Sequence, residues 1–529
     1  MTHLQSRFPY PSQRMPVMAK NMVAASQPLA AQAGLQALKQ GGNAVDAALA
    51  TAITLTVVEP TMNGIGSDAF CILWDGTRLH GLNASGCSPS GTSPDDFSGR
   101  DEMPTQGWGS VTVPGAVSGW AELSRRFGKL PFGKLFESAI HYAESGFMVP
   151  PITARLWAMS VEEFADFEGF GVFLVDGKAP AVGDTFKLPE QARTLEKIAA
   201  SHGADFYSGE IAGKIVAAAR RDGARLSRND LESHRCEWVN LVSQPYHGHE
   251  LHEIPPNGQG LGALIMLGIL EHLDIGRCDM DSLDAVHCQI EAMKLAFADM
   301  HRYIADSRYM DIHPDQLLDP AYLRTRAQCI DPKKAGTPEY GVPKKSGTVY
   351  LTTADESGMM VSYIQSNYAG FGSGIVIPGT GISLQNRGAG FTLEAGHPNQ
   401  VGGGKRPFHT IIPAFLTKGG APVMSFGVMG GHMQTQGHAQ MVIRVCDYGM
   451  NPQAASDAPR WQIDEDKRIL LEGGFDDSVR DGLKKRGHRV ADHDDEQKYS
   501  MGGAQLILKT DGGYIGGSDH RKDGMVVGY

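Results

Sequence analysis

The stretch Ser346-Gly347-Thr348-Val349-Tyr350-Leu351-Thr352-Thr353-Ala354-Asp355 decides how this chain is interpreted, because a strand pattern begins there with a glycine–threonine pair. A threonine hydroxyl is a weak nucleophile unless a base lies beside it, and the threonine's own α-amine is such a base. That amine exists only after the preceding peptide bond is cut. The stretch therefore predicts a precursor that cleaves itself between Gly347 and Thr348 and then uses Thr348 as both nucleophile and base.

The surroundings of this pair favour self-cleavage over an ordinary junction between a loop and a strand. Gly347 permits the strained backbone that an N→O acyl shift requires. The preceding segment, 330–347, contains Lys344, Lys345 and three prolines, which predicts a flexible, solvated linker. The residues after Thr348 predict a strand, and a strand would hold a terminal nucleophile rigidly.

Length and composition narrow the classes of protein. The chain has 529 residues, 41% of them hydrophobic, and a net charge of −11, which argues against nucleic acid or an anionic membrane as partner. Its length favours several domains or one large sandwich. The first twenty residues lack an apolar signal segment, and no apolar run approaches the roughly 18 residues of a membrane span. Seven scattered cysteines without a CxxC pair predict free thiols and a cytoplasmic location.

Hydrophobic periodicity predicts helices and strands in both halves of the chain. The helices are expected at 28–38, 44–58, 115–127, 133–145, 189–201, 210–222, 259–273, 281–305, 434–448 and 476–486. The strands are expected at 69–74, 348–354, 359–366, 382–385, 411–417, 422–427, 469–471, 504–509 and 513–516. Helices flank runs of strands in each half, which predicts a layered sandwich rather than a βαβ fold.

A second glycine pair suggests how negative charge could be stabilised during a reaction. Gly430 and Gly431 follow a predicted strand and precede a predicted helix. Adjacent backbone N–H groups at a helix N-terminus can form an oxyanion hole, because the donors and the helix dipole point at the same place. A plain strand-to-helix turn remains the alternative for this pair alone.

Three other motifs give weaker evidence of function. Gly372-Ser373-Gly374 and Gly64-Ile65-Gly66-Ser67 lack the spacing of a nucleophile elbow. The histidines at 247, 249 and 252 predict a polar strand face rather than a metal site, because His252 faces away from the other two on an extended strand. The glycine-rich stretch 257–262 lacks the lysine of a phosphate-binding loop and is interpreted as the entry to a helix.

Collinear motifs along residues 22–529 resemble those of the γ-glutamyltranspeptidase family of N-terminal-nucleophile hydrolases. They lie at 26–34, 41–48, 113–120, 291–299, 347–348, 405–407, 430–431 and 447–449. The resemblance implies an α+β fold, a four-layer αββα sandwich built by a large chain, 1–347, and a small chain, 348–529, after self-cleavage. It implies amide hydrolysis through a threonyl acyl-enzyme. By it, Thr348 is the nucleophile, Gly430 and Gly431 are the oxyanion donors, and Ser366 orients the nucleophile where the family usually has threonine.

Departures from the family's pattern bear on the substrate. Ser85 stands where γ-glutamyl enzymes hold the donor's α-carboxylate with an arginine. The acidic residue that grips the α-amino group aligns with Gly390, and a neighbouring Glu or Gln aligns with Arg387. His409 and Thr410 replace the two serines that follow Lys-Arg-Pro and one apolar residue. A guanidinium in this place repels an ammonium and attracts a carboxylate, which it can bind through two parallel hydrogen bonds.

These departures lead to the hypothesis of a small acid amide without an α-amino group. Oxamate, which an amidohydrolase of this family handles in purine-nitrogen catabolism, fits that description. Arg387 would bind the carboxylate, together with His409 and Thr410. Asn386 and Tyr368 are further expected substrate-binding residues, and Tyr368 would narrow the pocket because it replaces an asparagine. The lid segment, 391–404, is shorter than in classical members of the family.

The resemblance implies no metal and no organic cofactor. The expected partners are the small-molecule amide and, for each of the two self-cleaved chains, the other chain of a heterodimer; a dimer of heterodimers stays open. Two other functions also stay open. One is a γ-glutamyl hydrolase or transpeptidase acting on glutathione-like donors, and the other is an inactive relative acting as a binding protein.

Overall fold

The computed structural model describes residues 13–165, 167–273, 275–338, 347–492 and 500–529, with Gly347 and Asp492 described by their backbone alone. The strands are Val17–Ala19 (β1), Met22–Ala25 (β2), Asp68–Trp74 (β3), Leu79–Ala84 (β4), Phe147–Met148 (β5), Thr185–Phe186 (β6), Glu237–Val239 (β7), Val242–Tyr246 (β8), His249–Glu253 (β9), Gly347–Ala354 (β10), Met360–Tyr368 (β11), Val376–Ile377 (β12), Ile382–Ser383 (β13), Ala414–Lys418 (β14), Ala421–Met429 (β15), Trp461–Ile463 (β16), Ile469–Leu471 (β17), Val490–Asp492 (β18), Gly503–Thr510 (β19), Gly513–Ser518 (β20) and Met525–Gly528 (β21).

The helices occur singly or in groups between these strands. They are Pro28–Lys39 (α1), Ala44–Val58 (α2), Ala116–Phe127 (α3), Glu137–Ser145 (α4), Pro151–Phe164 (α5), Pro189–Ala200 (α6), Ala204–Ser208 (α7), Glu210–Arg221 (α8), Arg228–Ser233 (α9), Gly260–Leu270 (α10), Leu283–Tyr303 (α11), Pro314–Leu317 (α12), Pro320–Ala327 (α13), Met433–Cys446 (α14), Pro452–Asp457 (α15) and Asp477–Lys485 (α16). None of the helices in the described ranges combines the length and the apolar character needed to cross a bilayer.

Two seven-stranded antiparallel sheets form the centre of the molecule. The first has the order β1-β20-β19-β15-β14-β9-β8 and the second the order β21-β2-β10-β11-β3-β4-β7. Strands from both sides of the Gly347–Thr348 bond enter each sheet, so the parts before and after this bond are intertwined in one sandwich. Because β10 pairs with β2 on one side and β11 on the other, the strand that begins at Gly347 is central rather than an edge.

Three apolar clusters fill the spaces between four layers. Helices α1 and α2 cover the second sheet, and helices α10 and α14 cover the first. Between the two sheets lies a third cluster that includes Phe70, Tyr350 and Phe415. Helices cover the outer faces of two stacked sheets, so the predicted αββα sandwich is confirmed.

Local sequence signals explain the elements nearest the site. Helix α2 begins with a capping box between Asn43 and Asp46, and every residue from Ala44 to Val58 is buried because the helix is apolar on all sides. Helix α10 is equally apolar and begins just after Gln259, as expected for a helix entry rather than a phosphate loop. The predicted strands after Gly347 are confirmed as β10 and β11. The sequence did not predict helix α5 or strand β8, whereas the polar strand predicted at His249 and His252 is present as β9.

The segment before the predicted cleavage site is partly anchored. The N–H of Ala335 donates to the Arg486 carbonyl at 2.7 Å, and the N–H of Gly336 donates to Glu291 Oε2 at 2.8 Å. The expected solvated linker therefore does not begin at residue 330, because the chain is held against α11 and the end of α16 as far as Gly336. Lys344 and Lys345 lie outside the described residues.

Candidate active site

A β-bulge lies at the residue that the sequence singles out. Gly347 pairs with Tyr368 and Val349 pairs with Gln365, so one residue of β10 faces two residues of β11. Bulges re-aim side chains at the point where the ladder is interrupted. Here the bulge turns the Thr348 side chain toward Ser366.

The Thr348 hydroxyl lies in a short hydrogen-bond chain. Its Oγ1 donates to Ser366 Oγ at 3.3 Å and accepts from Gln434 Nε2, also at 3.3 Å. Ser366 Oγ in turn accepts from the N–H of Tyr368 at 2.8 Å, and Gln434 Oε1 accepts from the N–H of Ile412 at 3.0 Å. Thr348 is only 1% exposed, so the hydroxyl has a fixed direction in a site shielded from bulk water.

The glycine pair after β15 reaches the same place through helix α14. Gly430 has φ +120° and Gly431 φ +61°, both in the region that favours glycine, and a Cβ at Gly430 would lie 2.9 Å from the Cα of Gly502. Their carbonyls accept hydrogen bonds from the first turn of α14, including Gln434 N to Gly431 O at 3.2 Å. Neither glycine N–H has a hydrogen-bond partner within the described part of the chain. The pair can therefore offer two N–H groups to an oxyanion beside Thr348.

Gln259 joins the glycine pair to the segment after Lys405. Its Nε2 donates to the Gly431 carbonyl at 2.8 Å and also to the Thr410 carbonyl. The side chain is fully buried. One amide group therefore fixes the distance between the candidate oxyanion hole and the residues expected to bind substrate.

Arg387 is buried with most of its hydrogen-bonding capacity unused. Its guanidinium is 1% exposed, donates through Nη1 to Thr410 Oγ1 at 2.7 Å and lies 4.9 Å from the centre of the Tyr368 ring. Nε and Nη2 have no partner among the described residues. Burial lowers the pKa of Arg387 to about 10, so the group remains charged at neutral pH. A buried cation with two unpartnered donors is a strong site for an anion.

Asp68 supplies a nearby negative group. Its Oδ1 accepts from the N–H of Gly115 at 2.9 Å, and its Oδ2 lies 3.1 Å from His409 Nε2. Burial raises the pKa of Asp68 to about 7, while the positive charge of Arg387 acts in the opposite direction. Burial also lowers the pKa of His409 well below its ordinary value, and the charge of Arg387 adds to this, so His409 is a neutral imidazole.

The other predicted binding residues differ in what they can reach. Both ring nitrogens of His409 are engaged, because Nδ1 accepts from the N–H of Ile411 at 3.3 Å. Asn386 is also fully engaged: Nδ2 donates to the Thr105 carbonyl at 2.7 Å, and Oδ1 accepts from the N–H of Ala369. Of the predicted binding residues, Thr410 and Tyr368 each contact Arg387.

Ser85 is held by hydrogen bonds to Asn83 and Arg406 rather than by the residues around Arg387. Its hydroxyl donates to Asn83 Oδ1 at 2.7 Å, and its carbonyl accepts from Arg406 Nε at 3.0 Å. The side chain is fully buried. A serine in this environment stabilises the backbone and does not replace the charge of an arginine.

Three residues near the site were missed at the level of sequence. Gln434 follows Gly431 by three residues, so the spacing on the first turn of α14 could have suggested that its side chain faces the glycine pair. Gln259 lies in the glycine-rich stretch 257–262, which is interpreted from the sequence as a helix entry without a role for this side chain. Asp68 is the first residue of β3, and no local pattern indicates that it faces a residue 341 positions away.

One cluster has the composition of a metal site. His287, Glu291 and His488 are buried with their ligand atoms within 4.8 Å of one another. However, Lys294 Nζ donates to Glu291 Oε1 at 2.7 Å and lies 3.3 Å from His488 Nδ1. His287 Nδ1 lies 2.8 Å from His488 Nε2. An ammonium already occupies the position of a cation, so this cluster is a hydrogen-bonded network that holds the segment around Gly336.

Comparison with known proteins agrees with this geometry. The Gamma-glutamyltranspeptidase family model matches residues 30–529. The glutathione hydrolase-like YwrD proenzyme of Bacillus subtilis is 36% identical, covering 96% of this chain and 98% of its own. The oxamate amidohydrolase proenzyme of Klebsiella pneumoniae is 35% identical, covering 97% and 99%. The crystal structure of a cephalosporin acylase from Bacillus halodurans superposes with a TM-score of 0.95 at 46% identity, covering 100% of this chain and 99% of that one.

These relatives span the whole fold, and they include an amidohydrolase and an acylase. The match to the acylase structure also agrees with the N-terminal-nucleophile hydrolase fold expected from the sequence. The chain belongs to the γ-glutamyltranspeptidase family.

Proposed function

We propose that this protein is a self-processing threonine amidohydrolase that cleaves the amide of a carboxylic acid lacking an α-amino group. Family membership supports enzyme status, and the amidohydrolase and acylase among the relatives support amide hydrolysis. One observation carries the choice of substrate. It is the buried guanidinium of Arg387, which has two N–H groups without a partner among the described residues.

Self-cleavage would begin at the bulge. Thr348 Oγ1 attacks the Gly347 carbonyl carbon, the C–N bond to the Thr348 nitrogen breaks, and that nitrogen takes up a proton to become the new α-amine. Water then hydrolyses the ester, leaving a carboxylate on Gly347 and the free hydroxyl on Thr348. The relatives from Bacillus subtilis and Klebsiella pneumoniae are both described as proenzymes, which supports this step. The products are chains 1–347 and 348–529, which remain a heterodimer because each contributes strands to both sheets.

Hydrolysis of the substrate uses the same atoms. The α-amine accepts the proton of Thr348 Oγ1 as that oxygen bonds to the amide carbon, and the N–H groups of Gly430 and Gly431 stabilise the oxyanion. The amine then passes the proton to the leaving nitrogen as the C–N bond breaks. Water, activated by the same amine, hydrolyses the ester and releases the acid. Ser366 and Gln434 hold the hydroxyl in line through this cycle.

The acid would be recognised at Arg387. Its two unpartnered N–H groups can bind a carboxylate bidentately, and Thr410 fixes the plane of the guanidinium. A substrate ammonium at this place would meet the charge of Arg387, and both oxygens of Asp68 already accept a hydrogen bond, from Gly115 and His409. Oxamate is one acid amide that fits, and the relative that acts on it supports this.

The cytoplasmic location of the protein is also a proposal. The seven cysteines, all free in the structure, support a reducing compartment such as the cytoplasm.

The alternative function, a γ-glutamyl hydrolase or transpeptidase, has the support of the relative described as glutathione hydrolase-like.

Two substrates that differ by one group distinguish these functions. Glutaryl p-nitroanilide and γ-glutamyl p-nitroanilide are identical except for the α-amino group. We expect the kcat/KM for the glutaryl compound to be higher by about tenfold or more, since a buried like-charge pair costs over 1 kcal/mol. A preference for the γ-glutamyl compound would refute the proposal.

Arg387→Ala should raise KM for the glutaryl compound by roughly 10- to 150-fold, the loss of a charge-assisted pair worth about 1.5–3 kcal/mol. Arg387→Lys should recover part of this, because it keeps the charge without the planar fork. Arg100→Ala, an exposed arginine, is the matched control. An unchanged KM in Arg387→Ala would remove the carboxylate assignment.

A further inference from the structure

A pocket of about 150 Å³ adjoins the candidate site, between the C-terminal part of α11 and the lid segment. Its apolar lining comes from Phe297, Met300, Ile304, Phe391 and Phe408. A cavity of this size and character holds one six-membered ring. Arg387, Thr410 and Thr348 are not among its lining residues, but Gly390, three residues after Arg387, is, so the pocket lies beside the place where the acid would bind.

His432 connects this pocket to the reaction centre. It directly follows Gly431, is 5% exposed and lies stacked on the Phe408 ring, with centroids 5.8 Å apart and planes 17° apart. Neither ring nitrogen has a partner among the described residues. Burial, reinforced by the charge of Arg387, lowers the pKa of His432 to about 3, so the ring is neutral. A buried imidazole with unused hydrogen-bonding groups, lining a pocket, indicates a ligand.

The pocket is preformed. Asn399 Nδ2 donates to the Gly390 carbonyl at 2.7 Å, and its Oδ1 accepts from the N–H of Phe408 at 3.0 Å. His397 Nε2 lies 3.0 Å from the His301 carbonyl, which ties the lid to the end of α11. These contacts hold the two walls at a fixed separation.

The acyl side and the leaving-group side of the scissile bond differ in their access to solvent. Arg387 is 1% exposed and lies at a closed end, where an acyl carboxylate can stay while the ester is formed and hydrolysed. The pocket opens at its rim, where His301 and Glu394 are exposed. An amine released before deacylation needs a route to water, and the pocket offers one. The carboxylate of Glu394 at the mouth disfavours an anionic leaving group.

We infer that this pocket binds the leaving amine of the substrate, and that this amine carries one flat, uncharged ring. The inference rests on the proposed acyl-enzyme mechanism and adds the chemical class of the leaving group. The ring would lie among Phe297, Met300 and Phe408, and His432 would hydrogen-bond a polar group near the scissile nitrogen. An ammonia-releasing substrate would leave the pocket unused.

Glutaryl benzylamide and glutaryl methylamide test this inference with the processed enzyme. Both release an alkylamine, so they differ chiefly in the ring. We expect kcat/KM for the benzylamide to exceed that for the methylamide by roughly tenfold or more, as burial of one ring provides. Where deacylation limits turnover, kcat should be the same for both, because both form the same glutaryl-enzyme. Equal kcat/KM values, or a ring effect on the deacylation rate, would overturn the inference.

A variant that fills the pocket sharpens the test. Thr392 lines the pocket from the lid, and Thr392→Phe should bring the benzylamide to within about threefold of the methylamide by occupying the space of the ring. Ala395→Phe adds the same ring to an exposed lid position that does not line the pocket, and should keep the preference. Loss of the preference in both variants, or in neither, would count against the pocket.

A measurement on the unmodified enzyme is independent of any folding defect. By microscopic reversibility the pocket that releases the amine also accepts one, so benzylamine should capture the glutaryl-enzyme more often than methylamine at equal free-base concentration. Equal capture would contradict the inference.

Failure of the proposed function gives a different pattern. If only γ-glutamyl amides are cleaved, the same two leaving groups are compared on the γ-glutamyl acid. A ring preference there would support the pocket and reject the assignment of Arg387, whereas equal rates would reject the pocket as well.

Discussion

His409 Nε2 lies 3.1 Å from Asp68 Oδ2, and both side chains are fully buried. Because His409 Nδ1 accepts from the N–H of Ile411, the neutral imidazole must carry its proton on Nε2 and donate to the carboxylate. The contact fixes the backbone at His409 and therefore the next residue, Thr410, whose hydroxyl accepts from Arg387. Asp68 thus acts on Arg387 in two ways, by positioning the residue that binds it and by its own charge.

The ionisation of Asp68 should appear in substrate binding. Burial raises the pKa of Asp68 to about 7. Below this pH the group is neutral and the charge of Arg387 is uncompensated; above it the carboxylate is a counter-ion that competes with the substrate. We expect KM for a carboxylate-bearing amide to increase several-fold as the pH rises from about 6 to 8, a range in which the substrate stays ionised.

Asp68→Asn should make KM independent of pH over this range, because the amide carries no charge; its one oxygen can accept from either Gly115 or His409, but not through two separate oxygens as the carboxylate does. The kcat profile is a separate readout: it should rise with pH as the α-amine of Thr348, with an ordinary pKa near 7.7–8.0, becomes neutral. A KM that does not change with pH in the unmodified enzyme would contradict the role given to Asp68.

Ser366 should position the nucleophile rather than react. Ser366→Ala removes the acceptor of the Thr348 hydroxyl and the acceptor of the N–H of Tyr368. We expect kcat to fall by about 3- to 10-fold, equivalent to roughly 0.5–1.5 kcal/mol for one hydrogen bond. Ser366→Thr is the matched control, since it keeps the hydroxyl, and should stay within about twofold. Equal activity of the two variants would show that the contact is dispensable.

Whether these residues could be predicted depended on whether the pattern that identifies them lies among their neighbours in the sequence. Gly430 and Gly431 could be singled out because an adjacent glycine pair between a strand and a helix predicts a tight turn, and their positive φ angles agree with that turn; their role as oxyanion donors stays a prediction. Helix α2 was equally accessible, because its cap and its apolar run lie within sixteen residues. The interpretation of Arg387 rested on charge at one aligned position, and its burial could only come from the structure.

Residues that act through long-range contacts left no such signal. Asp68, at the start of β3, contacts His409 341 positions later in the chain, and nothing near Asp68 in sequence identifies that partner. The leaving-group pocket combines α11 with the lid, and its preformed shape depends on side-chain hydrogen bonds of Asn399 and His397. His409 was expected to bind substrate because of its place after Phe408, but sequence does not reveal that both ring nitrogens are engaged.

Gly430 should be intolerant of any side chain. At φ +120° an alanine is strained, and its Cβ would lie 2.9 Å from the Cα of Gly502, so the N–H groups of the turn must move. We expect Gly430→Ala to lower kcat by about 100-fold, as for the loss of one oxyanion donor. Gly133→Ala, at an exposed position with open space around it, is the control and should retain full activity. Normal turnover in Gly430→Ala would remove this pair from the oxyanion hole.

The network of His287, Glu291, Lys294 and His488 should make folding stability sensitive to acid. Burial, together with the charge of Lys294, lowers the pKa of His488 to about 3, and burial also lowers the pKa of His287. The unfolded chain takes up these protons near pH 6.5, so the stabilisation is complete above that pH and is lost as the pH falls toward 3. We expect Tm to fall between about pH 7.5 and 5, a range in which ordinary carboxylates stay ionised. His488→Gln should have a lower Tm at pH 7.5 and a smaller fall in Tm on acidification.

Added Zn²⁺ should leave Tm unchanged, because the ammonium of Lys294 occupies the cation position. A rise in Tm with Zn²⁺ would show that the cluster is a metal site after all.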